Sequence, residues 1–157
     1  MTLTAAKISS LAPPDAIRTR SLGASQLPLV IEPMNHEGRS ALALRAWITA
    51  NRALVRRALT ERGALLFRGF AVDSAADFER VARGVDPYLK NDYLGTSPRN
   101  ALTDHVFSAS ELPPYYPIPQ HCEMSFTRTP PSRLFFWCAV PSSGRSARPP
   151  ERRSWRR

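Results

Sequence analysis

A long amphipathic segment that leads straight into an apolar run limits most strongly how this chain can fold. Across residues 39–62, apolar side chains recur every three or four positions and arginines occupy the other face, which predicts a helix. Gly63 is the expected stop, and the run "ALLFRGF" at residues 64–70 predicts a strand covered on both faces. The apolar positions of this helix are Leu44, Trp47, Ile48, Leu54, Val55, Ala58 and Leu59.

Two shorter elements are expected on either side of this unit. Residues 27–33, "LPLVIEP", form a β-rich run bracketed by prolines, which predicts an edge strand or the first strand of the domain. Residues 73–84, "DSAADFERVARG", predict a second helix with Asp73 or Ser74 as its N-cap and Gly84 as its terminator.

The second half of the chain is richer in strands and prolines. Residues 88–94 and 101–108 predict weak strands, with a turn at residues 95–100 between them. Four prolines within residues 111–120 predict a loop, and residues 132–141, "SRLFFWCAVP", predict the most apolar strand of the sequence. Helix, strand and helix followed by strands and loops predict an α+β fold.

The positive charge of the chain is concentrated at its end. The net charge is +9 at pH 7, and residues 144–157, with six arginines and one glutamate, carry +5 of it. The remaining body is only mildly basic and needs no polyanionic partner, so nucleic acid is not an expected ligand. The tail has almost nothing to bury, which predicts a disordered Arg/Pro-rich segment.

Composition also indicates the cellular compartment and the structure expected for the first residues. No run approaches the about 20 apolar residues of a membrane span, and the two cysteines, Cys122 and Cys138, form no disulfide framework. A cytoplasmic protein with reduced thiols is therefore expected. Residues 1–26 are rich in small residues and lack the apolar core of a secretory signal, which predicts a flexible lead-in.

The stretch "QHCEMSF" at residues 120–126 carries the candidate metal ligands. In an extended chain His121 and Glu123 share one face about 6–7 Å apart, while Cys122 points to the other. A histidine and a carboxylate suit Fe(II), Mn(II) or Zn(II), and a second histidine would complete the two-His-one-carboxylate facial triad. The residues alone leave open a chance pairing, or a small zinc protein that adds Cys122 or Cys138.

Three stretches in order, "GALLFRGF", "PYYPIPQHCEMSF" and "PPSRLFFWCAVPSSG", resemble the TauD/TfdA-like family of Fe(II)/2-oxoglutarate-dependent dioxygenases, in particular members with an H-x-E motif. The resemblance runs from about Leu27 to Gly144. It implies a double-stranded β-helix (jelly-roll) core preceded by helices, with His121 and Glu123 as two of three iron ligands. It also implies 2-oxoglutarate as co-substrate and hydroxylation of a small acid or amino-acid-like molecule.

The second half of the family's site has no counterpart in this sequence. After the P-x-x-G turn at residues 141–144 the family continues with a threonine that helps bind 2-oxoglutarate, a distal histidine and a 2-oxoglutarate-binding arginine. Here the chain reads "GRSARPPERRSWRR", and no histidine follows His121. We expect an incomplete jelly-roll over residues 27–143, a tail over residues 144–157 that is out of frame, and a truncated product inactive alone.

A non-enzymatic function is the alternative. The end of the tail, "RRSWRR", could bind nucleic acid or another anionic surface through its arginines, with Trp155 stacking on a base. Such binding would show a steep salt dependence that deletion of residues 144–157 removes.

Overall fold

The computed structural model describes residues 17–22, 27–91, 99–109, 111–113, 115–117, 119–121 and 126–141. Within this part, an α+β arrangement of three strands and three α-helices confirms the predicted class. In chain order the elements are β1 (Ile17–Ser21), β2 (Leu29–Pro33), a 3-10 turn (Glu37–Arg39), α1 (Ala41–Ala50), α2 (Arg52–Arg62), β3 (Leu65–Phe67) and α3 (Ala75–Val85).

The three strands form one mixed sheet with β2 at its centre. β1 pairs antiparallel with β2, which aligns Ile17 with Pro33, and β2 pairs parallel with β3, which aligns Leu29 with Leu65. The prediction that residues 27–33 form an edge strand is therefore wrong, because β2 lies between two neighbours. The alternative prediction, the first strand of the domain, is also wrong, because β1 precedes β2 in the chain. Leu29, Val30 and Ile31 are at most 1% exposed, as a strand with neighbours on both sides requires.

β1 corrects the expectation of a flexible lead-in over residues 1–26 for Ile17–Ser21, while residues 1–16 and 23–26 lie outside the described part of the chain. Ile17 is buried against Ile31, while Arg18 and Arg20 both bond the carboxylate of Glu32 on the outer face. One apolar contact and one shared ion-pair partner thus fix this strand on β2.

The long amphipathic segment forms two helices rather than one. Asn51 lies between α1 and α2 with φ −112° and ψ 23°, and both its backbone N–H and its side-chain amide donate to the carbonyl of Trp47, at 3.0 and 2.9 Å. Asparagine competes for backbone hydrogen bonds in this way, which interrupts a helix. The predicted apolar face is confirmed at its buried positions, Leu44, Ile48, Val55 and Ala58. Gly63 ends α2 as predicted, with φ 73°.

α3 begins where predicted but does not end at Gly84. The Ser74 hydroxyl accepts the backbone N–H of Asp77 at 3.1 Å, so Ser74 is the N-cap. Gly84 lies inside the helix, and a Cβ there would be 3.1 Å from Cγ2 of Ile48. The glycine therefore allows α1 and α3 to approach closely, and the helix ends at Val85.

The core lies between the helices and the sheet. Its main cluster contains Leu44, Ile48, Val55, Val81 and Val85. The three residues of β3 are half-buried, so the prediction of a strand covered on both faces is wrong for the part of the chain described here.

The second half contains little regular structure in its described residues. Residues 101–108 form a single antiparallel bridge between Ala101 and Phe107 instead of a strand. Residues 88–91 form neither a strand nor a bridge. Most of the predicted turn at 95–100 and all of the tail at 144–157 lie outside the described residues, so the tail's disorder stays a prediction. The jelly-roll also stays a prediction. Among the described residues, no helix is both long and apolar enough to cross a bilayer.

Candidate metal centre and the segment that follows it

His121 is presented on the surface in a defined ring state. Its side chain is exposed, and its Nδ1 lies 2.9 Å from the carbonyl oxygen of Pro119. A carbonyl can only accept a hydrogen bond, so Nδ1 carries the proton and Nε2 of the neutral ring keeps the lone pair. Histidines that bind metals are commonly oriented by such an Nδ1–H to carbonyl bond. His121 therefore fits the requirements of a metal ligand.

The second predicted ligand, Glu123, lies outside the described residues, as does Cys122. The geometry of the H-x-E pair accordingly stays a prediction. Over the described part of the chain, no group of three or more His, Cys, Asp and Glu side chains could hold a metal ion. His36 is exposed in the turn before α1, and His105 is engaged with Glu79 and Arg83 of α3.

The segment after the motif has the side-chain pattern of a strand. From Arg133 to Cys138 the residues alternate between half-buried and exposed, which is the two-residue period of extended chain. Residues 132–141 form no strand ladder within the described residues, so the prediction of a hydrogen-bonded strand is wrong. The alternation of its side chains is still the one expected of extended chain.

The inner face of this segment is anchored to α3 and to the loop before it. Arg133 donates to Oδ2 of Asp86 from Nε at 3.0 Å and from Nη2 at 2.7 Å. Trp137 donates from Nε1 to the carbonyl of Val72 at 2.9 Å and stacks on Phe78 with the ring centres 5.9 Å apart. The two hydrogen-bonded contacts, of Arg133 with Asp86 and of Trp137 with Val72, span 47 and 65 residues and fix the chain that follows the candidate metal motif.

The Asp86 carboxylate is electrostatically adapted to this role. The hydrogen bond from Arg133 holds the pKa of Asp86 below its ordinary value. The backbone N–H of Tyr88 and the charge of Arg56 act in the same direction, whereas burial opposes them. Asp86 therefore remains ionised at neutral pH and keeps the anchor charged.

The outer face of the segment is apolar and open. Phe136 is 87% exposed and Val140 84%, and Leu134 also faces outward. Phe126 and Phe136 are exposed, whereas Phe135 and Trp137 pack inward. Cys138 is a free, exposed thiol.

A large apolar cavity lies between this segment and the helical layer. Its volume is about 1190 Å³, and its walls come from α1, α2, α3, β3 and residues 131–138. Phe67, Phe78 and Phe135 line it, but His121 does not. The cavity and the candidate metal ligand are thus separate features of the described structure.

A polar cluster on α3 was missed by the sequence reasoning. Thr103 donates to Oε2 of Glu79, and Arg83 donates to Oε1 at 2.9 Å. The Thr103 bond is the main cause that lowers the pKa of Glu79, followed by Arg83 and His105. The contacts of Thr103 and His105 with Glu79 join residues more than 20 positions apart, so no local sequence signal could have found them.

The described structure thus combines an α+β domain, an exposed histidine held by the Pro119 carbonyl and an anchored segment behind it. The family described as taurine catabolism dioxygenase TauD, TfdA matches residues 28–146 of this sequence. Since the match covers most of the chain, the protein belongs to this family. The resemblance found in the sequence motifs is thereby confirmed.

One curated relative is similar over part of the chain. A clavaminate synthase-like protein of Arabidopsis thaliana is 48% identical over 86 residues, which are 52% of this chain and 25% of that protein. The matched part thus spans about a quarter of the relative's length.

Proposed function

We propose that this chain carries part of the iron site of an Fe(II)/2-oxoglutarate-dependent dioxygenase. His121 and Glu123 are the two ligands it supplies. The observation that carries the proposal is the Nδ1 bond from His121 to Pro119, which keeps the proton on Nδ1 and places the lone pair of the neutral ring on Nε2. Family membership supports a dioxygenase-type function, and the order of the motifs supports the choice of ligands.

Each residue has a simple task in this proposal. The Pro119 carbonyl holds the proton on Nδ1 of His121, so that Nε2 presents a lone pair without rotation of the ring. Glu123 adds an anionic oxygen ligand, and Arg133 with Asp86 holds the chain behind the motif in place. When bound, Fe(II) with 2-oxoglutarate as the reductant would activate dioxygen, the oxidant, for hydroxylation of an unactivated C–H bond.

The substrate class follows from the family. We propose a small acid or an amino-acid-like molecule as the compound hydroxylated, a jelly-roll for the complete family domain, and a cytoplasmic location consistent with the free thiol of Cys138. The family's 2-oxoglutarate-binding threonine and arginine and its distal histidine match no position of this sequence. The 157 residues alone are therefore proposed to hold iron weakly and not to turn over.

Metal titration of the full chain tests the proposal. Mn(II), which replaces Fe(II) without oxidation, should bind weakly at one site, as followed by loss of the free-ion EPR signal. Binding should disappear in H121A and in E123Q, and it should persist in H36A, which removes an exposed histidine outside the motif. Equal binding by wild type and H121A would refute the ligand assignment. Iron-dependent decarboxylation of 2-oxoglutarate by this chain would refute its proposed inactivity.

A further inference from the structure

Residues 99–108 form a small unit closed by its own hydrogen bonds. The backbone N–H groups of Leu102 and Thr103 donate to the carbonyl of Val106 at 2.8 and 3.2 Å, and Ser108 donates to Asn100 at 2.9 Å. Val106 is only 6% exposed. The unit, called the 99–108 loop below, is therefore held together by its own backbone contacts.

The loop is fastened to α3 around one carboxylate. Thr103 donates to Oε2 of Glu79, and Nδ1 of His105 lies 3.2 Å from Oε1 of the same group. One turn further along α3, Arg83 bonds Oε1 of Glu79 through Nε, and its Nη2 lies 3.0 Å from Nδ1 of His105. A single ring nitrogen thus faces both a donor and an acceptor.

One nitrogen cannot satisfy both neighbours at once. A bare Nδ1 has one in-plane lone pair and accepts from Arg83, whereas a protonated Nδ1 donates to Glu79. We propose that His105 is a proton-operated switch that changes the partner of the 99–108 loop on α3. The neutral ring accepts from Arg83, and the imidazolium donates to Glu79.

The surrounding charges permit this exchange. Glu79 and Arg83 face the ring from α3, and Asp104 is its neighbour on the loop. Arg80 lines the same recess as Glu79 and Arg83 but is paired with Asp77 at 2.6 Å. The His105 and Glu79 side chains are only 18% and 15% exposed, so solvent screens their interaction weakly. Because the pKa of Glu79 is lowered, its carboxylate stays available wherever histidine titrates.

Protonation has two mechanical results. The loop gains a charge-assisted bond to Glu79, so its attachment tightens on acidification. Arg83 loses its ring contact but stays bound through Nε, and its Nη1 already lies 3.5 Å from the carbonyl of Pro87 beyond the end of α3. Nη2 of Arg83 is therefore the group that loses its partner on the ring.

The ring state of His105 can be read directly in the ¹⁵N-labelled full chain. Long-range ¹H–¹⁵N spectra between about pH 8 and pH 5, the range in which histidines titrate, distinguish both neutral tautomers from the imidazolium. We expect a bare Nδ1 in the neutral wild type and a shift to the Nδ1–H tautomer in R83M. The matched variant R80M, which removes an arginine from the same helix, should keep the wild-type tautomer.

Hydrogen exchange supplies a second readout. The Val106 amide donates to the Thr103 hydroxyl at 3.1 Å, so its protection factor reports on the fastening at Glu79. The protection factor should rise several-fold on acidification in wild type and stay flat in H105Q. A protonated Nδ1 in the neutral wild type, an unchanged tautomer in R83M, or an equal rise in H105Q would each overturn the proposal. The wild-type tautomer decides the matter even where a variant fails to fold.

Discussion

The Asp86–Arg133 ion pair determines how firmly the segment behind the metal motif is held, and a double-mutant cycle can measure its strength. D86N removes the anion with little change of shape, and R133M removes the guanidinium while keeping an unbranched apolar side chain. Nε and Nη2 of Arg133 lie 3.0 and 2.7 Å from Oδ2 of Asp86, and the side chains of Arg133 and Asp86 are 27% and 17% exposed. The pair is thus neither fully solvated nor fully buried.

The expected magnitude follows from this intermediate burial. Exposed ion pairs contribute about 0.2–1 kcal/mol, whereas hydrogen bonds to charged groups contribute about 1.5–3 kcal/mol. We expect a coupling free energy of about 1.5 kcal/mol between D86N and R133M at neutral pH, taken between these limits. Urea unfolding followed by tryptophan fluorescence gives the four free energies of unfolding that the cycle requires.

The helix α2 offers a matched control. Arg57 and Glu61 form a pair at 3.1 Å with side chains 53% and 22% exposed, and the cycle of R57M and E61Q should give about 0.3–0.5 kcal/mol. A coupling for Asp86 and Arg133 no larger than this would refute the argument from burial and geometry.

The same coupling should depend on pH in a defined direction. Arg133 lowers the pKa of Asp86 in the folded state, so the unfolded chain binds a proton more readily. The contribution is fully present above the unfolded value of about 3.9 and is lost as pH falls through the lower folded value. The cycle should give equal couplings at about pH 7 and pH 5 and a smaller one below about pH 4. An unchanged coupling in acid would contradict the assigned cause.

Substitutions at four further positions test local features by urea unfolding. S74A should cost about 1 kcal/mol because it removes the cap of α3, while S74N, which keeps an acceptor for the Asp77 N–H and a donor for the Asp77 carboxylate, should cost much less. G84A should destabilise by about 1 kcal/mol, since the fully buried Ile48 cannot yield to the new Cβ and overpacking exceeds the helix-propensity gain; a more stable G84A would contradict this. F136S should change stability by less than about 0.5 kcal/mol and F135S by about 2 kcal/mol, and equal losses would contradict the inward and outward faces.

Local signals predicted the helices better than the sheet. The 3.6-residue period located Leu44, Ile48, Val55 and Ala58 because helix burial repeats within a few residues of sequence. The break at Asn51 was missed, although asparagine is a residue whose side chain competes for backbone carbonyls.

β1 was missed although the alternation in "IRTRS" was a usable signal. Its arginines resemble a solvated segment until Glu32 is placed opposite them, and that pairing depends on a register no local pattern fixes. The central place of β2 was missed for the same reason, since strand order depends on contacts between distant segments.

In the candidate site, too, local features could be predicted from the sequence and contacts between distant residues could not. The chemistry of an H-x-E pair is carried by two residues and could be inferred from the chain alone, and the ring state of His121 depends on a carbonyl only two residues away. The contacts of Asp86 with Arg133 and of Glu79 with His105 span 47 and 26 residues. Partners at such separations become visible only once the chain is folded.

The parallel pairing of β2 with β3 has a consequence for how the chain folds. Parallel neighbours cannot be joined by a tight turn, so Leu29 meets Leu65 only after the intervening chain has closed a long loop. That loop consists largely of α1 and α2, which form by fast local steps and shorten the distance to be closed. During synthesis the helices can form before β3 emerges from the ribosome. Since β3 begins a few residues after α2 ends, it can then pair with β2 as soon as it emerges. The order of elements along the chain thus turns a slow, non-local step into the docking of preformed parts.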